Sequence, residues 1–409
     1  MQIVSQLLPC LVLTALQFVV ALPWLWAIDP NSFQKMARRP GTWVNVIGAI
    51  AGVTVLAAVM MTYQRGANLM ELLGRFYGSL LHAQVVVDLF IGAFAVMLVF
   101  WPKGGAVALA AFREGIRQPM FWLIALVSIG TFVVAMMLPY FTFGDDYKMM
   151  KQICFDVGML AALIFGVLVA SISINEEIEG RTAVTLMSKP VTRRQFLIGK
   201  YIGIVLSALA LTLLIGWFLN WALYIQPSFN PLDEAVDPLT VQAQNSLAPL
   251  AEKLTSGESR LFMIGITKWL GESLANGLGL ILGFGKVAVL LAVAATFATR
   301  MPMITNLVLC MSVFGLGHLA PVLRRVSEQL RAQSPDNTAL SLVNFLTQLL
   351  ETVTPTLEFF DMGPAIIRDT PVSLWSFAQY VGSAGIYAFI YTAIALLVGL
   401  ILFEDRDLA

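Results

Sequence analysis

Apolar residues in this chain fall into continuous runs of about 20, not into the alternation of strands or the 3.6-residue stripes of soluble helices. The runs cover about 7–28, 43–62, 85–101, 122–141, 157–174, 201–225, 277–298, 304–320 and 377–403, which predicts nine membrane-crossing helices. Lipid offers no partner to backbone N–H and C=O groups, and a barrel would show ten-residue alternation, so helices are the expected spanning elements. The first run is expected to be a retained helix and not a signal peptide. No Lys or Arg precedes it, its apolar stretch is long, and no clean small-residue cleavage site follows.

The polar segments add orientation. Lys35, Arg38 and Arg39 follow the first run, and Lys103, Arg113 and Arg117 precede the fourth. Arg181, Lys189, Arg193, Arg194 and Lys200 lie between the fifth and sixth, Arg300 between the seventh and eighth, and Arg406 follows the ninth. With nine spans all of these fall on one side, which the positive-inside bias makes cytoplasmic, leaving the N-terminus outside. The two longest connections, 226–276 and 321–376, then face outward. They carry apolar residues at helical spacing, such as Leu340, Val343, Leu346, Leu349 and Leu350, and predict amphipathic interfacial helices.

Composition agrees. Residues of the AVILMFWYC class make up 58% of the 409, and charged residues only 12%, about half the usual share. So few charges cannot cover a soluble surface, which excludes a soluble enzyme and a disordered chain. Lys+Arg and Asp+Glu are equal at 25 each, so no net charge draws the chain to nucleic acid. Three cysteines form no disulfide framework. Cys10 and Cys310 fall in apolar runs and read as packing residues, while Cys154 falls in a predicted outer loop. The fold class is an all-α polytopic membrane protein.

The connection at 174–204 is the most structured of the basic loops. Glu176, Glu177 and Glu179 follow the fifth run, and Gly180 is a helix stop. Thr182 can cap a short helix over Ala183–Ser188 with Val184, Leu186 and Met187 as its apolar edge, which Pro190 ends. Thr192 and Gln195 form a capping box for the next helix. The result is a helix–turn–helix elbow at the inner surface, a rigid apolar edge that a soluble partner can grip. Arg193 and Arg194 are expected to pair with the nearby glutamates.

In order and type, Glu176, Glu177, Gly180, Leu186, Pro190, Val191, Arg193, Phe196, Gly199 and Lys200 resemble the loop of ABC-2 type ABC transporter permeases. Arg181, between Gly180 and Thr182, departs from the adjacent Gly-Thr common in that family. The stretch Ala110–Trp122 looks like the family's interfacial helix, with Phe112 and Ile116 on one face and Arg113 and Arg117 on another. Phe403 to Leu408 looks like its usual C-terminal end. The resemblance covers about 106–409 as a permease domain with six spans and leaves 1–105 as an extension with three.

The resemblance implies a permease subunit in the bacterial cytoplasmic membrane that couples ATP hydrolysis on a separate ATPase to export. It implies a second permease subunit facing the first. Glu176, Glu177, Gly180, Val184, Leu186, Met187, Pro190, Arg193 and Arg194 would form the ATPase-coupling elbow. ATP and Mg would bind the partner ATPase, with no cofactor, metal or catalytic residue expected on this chain. The nearest lookalike of a phosphate-binding loop ends at Gly285-Lys286, lacks the upstream Gly at Leu280, has Val287 in place of Ser or Thr, and sits inside an apolar run. His82 and His318 are far apart in sequence and take no zinc signature. A second reading is a membrane anchor that recruits an ATPase in an envelope-assembly or motility complex without moving a solute.

Lys286 lies inside the seventh run, where a charge costs roughly 2.5–3.5 kcal/mol on insertion scales. It is a candidate for lining a wet path, with Asp88 as a candidate partner and snorkelling as the plain alternative. Glycines 277, 279, 283 and 285 around it predict close helix packing in preference to a hinge.

Overall fold

The computed structural model describes residues 2–63, 66–138, 140, 144–177, 191–230, 237–254, 258–333, 338–353, 355–363 and 372–404. Among these the chain is helical, and nine helices are long and apolar enough to cross a membrane. In order, the α-helices are α1 (Gln2–Ile28), α2 (Pro30–Ala37), α3 (Pro40–Tyr63), α4 (Ala67–Phe100), α5 (Pro102–Arg117), α6 (Pro119–Met137) and α7 (Asp146–Ala170). A π-helical turn, Ser171–Glu176, continues α7. Then come α8 (Arg193–Ile225), α9 (Pro238–Leu254), α10 (Glu258–Ala298), α11 (Met303–Gln333), α12 (Thr338–Val353) and α13 (Leu374–Glu404).

Several spans outrun their apolar cores. α4 starts at Ala67, not near 85, and its extra turns carry Glu71 and Arg75. Those charges are neutralised on another helix: Lys268 Nζ donates to Glu71 Oε1 at 2.7 Å, and Arg75 pairs with Glu272. α7 begins at Asp146, not near 157. Cys154 is therefore not in a loop as expected but sits buried within this helix. α11 runs past its apolar stretch to Gln333 with Pro321 inside it. The long connection at 226–276 resolves into α9 and the first turns of α10, and the one at 321–376 contains the end of α11 and α12.

The chain divides into two compact units. The first comprises Met1–Phe100 with Val236–Asn276. Its core gathers Cys10, Leu13, Ala58, Met61, Met70 and Ile266 from α1, α3, α4 and α10. α4 and α10 cross with no room for side chains: a Cβ on Gly74 would overlap the Phe262 carbonyl, and one on Gly265 would overlap that of Glu71. Gln244 Nε2 adds a 3.0 Å hydrogen bond to Glu272 Oε1, so this carboxylate is shared by Arg75 and α9.

The second unit comprises Trp101–Ala235 and Gly277–Ala409. Most of the span Asp146–Asn175 is buried within it. The glycines of α10 are sockets here. A Cβ on Gly279 would meet Met362, one on Gly283 would meet Met159, and one on Gly285 would meet Phe360. Packing is thus their role, as expected, except at Gly277, which has nothing within 4 Å.

Candidate functional site

The site is built where α5, the π-helical turn, α8 and the end of α13 converge in the second unit. Pro119 forces Gln118 out of the helical region, to φ −65° and ψ 136°, which breaks α5 from α6. α5 is thereby free to lie against α8. Small residues allow the approach: a Cβ on Gly199 would come within 2.9 Å of the Gly104 carbonyl oxygen, and one on Gly203 would overlap that of Ala108. Gly115 faces Ser207 in the same way. Arg113 and Arg117 stay exposed on the other side, while Phe112 and Ile116 are half-buried.

This packing brings Glu114 of α5 to Lys200 of α8. Lys200 is 4% exposed, and its three N–H groups have three acceptors. Nζ donates to Glu177 Oε1 at 2.6 Å, to Ser173 Oγ at 2.8 Å and to Glu114 Oε2 at 3.4 Å. Ser173 Oγ in turn donates a hydrogen bond to Glu114 Oε2 at 2.8 Å. A buried ammonium is tolerable only when paired and hydrogen-bonded, and this one is saturated.

The π-helical turn supplies Ser173 and leads into Glu177 at its C-cap position. It is anchored from the opposite side by α11. Asn306, fully buried, donates through Nδ2 to Ser171 Oγ at 2.9 Å and to the Ala294 carbonyl at 3.0 Å. Ser171 in turn donates to the Val167 carbonyl at 2.8 Å. A π-turn widens the helix by one residue per turn and leaves backbone groups misaligned, so such fixed partners hold its register.

α8 starts with the expected capping box: Gln195 N–H donates to Thr192 Oγ1 at 3.2 Å, and Thr192 N–H to Gln195 Oε1 at 3.1 Å. The last turn of α13 docks beside it. Arg193 Nη1 donates to the carbonyls of Phe403 and Glu404, both at 2.8 Å, and its guanidinium lies 5.5 Å from the Phe403 ring centroid. Arg300 takes the Leu402 carbonyl through Nε at 2.9 Å and Nη2 at 2.6 Å. Two guanidinium groups thus satisfy helix-end carbonyls that would otherwise be orphans. Phe196 and Phe403 are fully buried with ring centroids 6.0 Å apart.

A second polar cluster lies in the same unit. Lys286 is buried at 7% exposure, between the sockets of Met159 and Phe360. Among the described residues it has no ion pair within 4.0 Å; the carboxylates that act on it electrostatically are Asp156 and Asp361, both exposed. Asp88, the candidate partner of Lys286, belongs to the first unit. His318 adds a further interaction with Asp156 and shares its Nδ1 with the Phe314 carbonyl at 3.0 Å.

Residues 116–233 match the family model described as ABC-2 family transporter protein. The match supports an ABC-2 type permease family. It covers α6, α7, the elbow and α8 and so includes Lys200, Glu177 and Ser173. No curated protein matches the chain. Among the described residues the chain is all-α with nine helices long and apolar enough to cross a membrane, and its segment 116–233 is similar to the ABC-2 transporter family.

Of the expected ABC-2 elbow residues, Gly180, Val184, Leu186, Met187 and Pro190 lie outside the described residues, as does the side chain of Glu176. Glu177, Arg193 and Arg194 are described. Arg193 holds carbonyls of α13, Arg194 reaches Glu404 at 3.6 Å, and Lys200 takes Glu177. The expected pairing of the arginines with the glutamates falls largely on Glu179 and the side chain of Glu176, which lie outside the described residues. Sequence reasoning missed Glu114, Ser173 and Asn306 as partners. Glu114 lies 86 residues from Lys200, and no spacing rule links the two. The one available signal was the Gly199/Gly203 pair, four residues apart beside Lys200, which marks a close helix neighbour.

Proposed function

We propose that this chain is the permease subunit that couples ATP hydrolysis on a separate cytosolic ATPase to export of a substrate across the bacterial cytoplasmic membrane. In this reading the elbow of 174–204 docks the ATPase, and a second permease subunit, a copy or a sister chain, completes the path. The basic connections face the cytoplasm, with the N-terminus outside. ATP and Mg are held by the ATPase. The chain itself contributes rigid levers and no catalytic group.

The observation that carries the reading is the saturated Lys200 junction within the family-matched segment. In this reading a force that reaches Glu177 meets paired side chains. Glu177 leads through Lys200 to α8 and α5, while Ser171 leads through Asn306 to α11. Val184, Leu186 and Met187 provide the apolar edge, and exposed charge pairs of the elbow contribute only about 0–1 kcal/mol each, so the edge should dominate docking. Lys286, with Asp156 and Asp361, lines the path in this reading, because two exposed carboxylates on or beside a membrane helix call for water or a facing subunit.

Affinity purification of the tagged chain from its native membrane in mild detergent tests the proposal. The expected result is a near-stoichiometric ABC ATPase with the wild type that is lost from Leu186→Asp and only modestly reduced in Glu176→Ala. Equal recovery of the ATPase with Leu186→Asp would refute the docking assignment.

A further inference from the structure

α1 leaves its span at Ile28 and α3 enters the next at Pro40, so α2 occupies a short connection between two crossings. It is fixed at both ends. Pro30 stands at its first position, and Asp29 Oδ1 accepts the backbone N–H groups of Asn31 and Ser32 at 3.0 Å each. At the other end the Trp43 indole N–H donates to the Ala37 carbonyl at 2.9 Å. Trp at this level fits the interfacial belt of membrane proteins.

The two sides of this helix differ. Ser32 and Met36, and Phe33 and Ala37, are four residues apart and share one face. With Leu22 and Leu25 of α1 and further residues of α3, that face encloses a partly open, almost wholly apolar cleft of about 240 Å³. Lys35, Arg38 and Arg39 alternate with the lining residues in sequence and are exposed. The one acidic group at the cleft, Asp29, is committed to the cap at the far end of α2.

An apolar slot in a connection between two membrane crossings that also carries three exposed cations is complementary to a molecule with a hydrocarbon tail and an anionic head. The volume is below the roughly 300–1,000 Å³ of sites that enclose a whole small molecule, so it suits part of one chain with the head left outside. Arg38 and Arg39 present planar forks suited to phosphate oxygens, and Lys35 adds a point charge. We propose that this cleft binds an acyl chain of an anionic phospholipid whose phosphate is held by Lys35, Arg38 and Arg39. The site lies in the unit outside the ABC-2 match and does not depend on ATPase coupling.

Native mass spectrometry of the full chain, delipidated in steps and reloaded with phosphatidylglycerol or phosphatidylcholine of matched chains, tests it. The wild type should retain phosphatidylglycerol about tenfold better. The triple variant Lys35→Gln, Arg38→Gln, Arg39→Gln changes only exposed residues and should erase that preference. Ala37→Trp, which fills the cleft, should lower retention of both lipids. Arg113→Gln with Arg117→Gln removes exposed charge from the other unit and should leave the preference intact. Equal retention of the two lipids by the wild type would overturn the proposal. So would an unchanged preference in the triple variant, the same loss in the Arg113/Arg117 control, or undiminished retention in Ala37→Trp.

Discussion

Arg75 in the first unit and Lys200 in the second are both buried cations, and they are held differently. Arg75 in the first unit is clamped between α4 and α10, where Gly74 and Gly265 have already brought the backbones together. Its partner Glu272 is itself largely buried, with a side chain 17% exposed. Lys200 in the second unit is held by three elements at once, and its carboxylates are more open, 28% exposed at Glu177 and 39% at Glu114. The first arrangement fastens one helix to another. The second joins a helix end, a π-turn and an interfacial helix at a point reached from the surface. A closed clamp suits a fixed crossing, whereas a half-open junction beside an elbow suits a place where a partner's motion enters.

Removing the cations should expose this contrast. Arg75→Leu leaves Glu272 buried with its main charge partner gone. A loss of about 3–5 kcal/mol of stability is expected, read as a lower midpoint of thermal unfolding in detergent, with ATPase association unchanged at permissive temperature. Lys200→Met should cost less, about 2–3 kcal/mol, because water can reach Glu114 and Glu177 once the ammonium is gone. Its effect should instead fall on the elbow, measurable as faster amide exchange at 171–177 and 191–196. If Lys200→Met destabilises more than Arg75→Leu, the contrast between clamp and junction is wrong.

A smaller effect is expected at the α5–α8 contact. Gly203→Ala drives a methyl into the Ala108 carbonyl and must separate the helices, an overpacking cost of about 1–3 kcal/mol. Because Glu114 would move away from Lys200, amide exchange over α5 should quicken in the variant. Gly130→Ala, where nothing lies within 4 Å, should be neutral in the same assay.

Much of this was legible from hydropathy. Every apolar run became a spanning helix, and the Thr192 capping box formed as read. What misled the reading was charge inside helices. Glu71 and Arg75, and Lys148 and Lys151, look like loop residues in the sequence, yet α4 and α7 extend through them well beyond their runs. Pro321 similarly suggests a stop, yet α11 continues through it. At the site, local chemistry was readable and long-range pairing was not. Arg193 donates to the carbonyls of Phe403 and Glu404, some 210 residues away. A backbone acceptor leaves no mark in side-chain identity.

The smallest expected effect concerns pH. Hydrogen bonds from Ser32, then from the Asn31 backbone, hold the Asp29 carboxyl below its ordinary range. A lowered folded-state value means the cap contributes above the ordinary carboxylate range and is lost as pH falls through the lowered one. Amide exchange over α2 should therefore be unchanged near neutrality and accelerate only in acid, whereas Asp29→Asn should remove this acid-dependent step.

The central claim is that the Lys200 junction transmits what happens at the elbow. The most direct measurement is ATPase recovery with the tagged chain for wild type, Lys200→Met and Arg75→Leu, side by side at a temperature where all three remain folded. Loss of the ATPase from Lys200→Met with retention in Arg75→Leu is the predicted result. Equal recovery from all three, or loss from Arg75→Leu alone, would contradict the account.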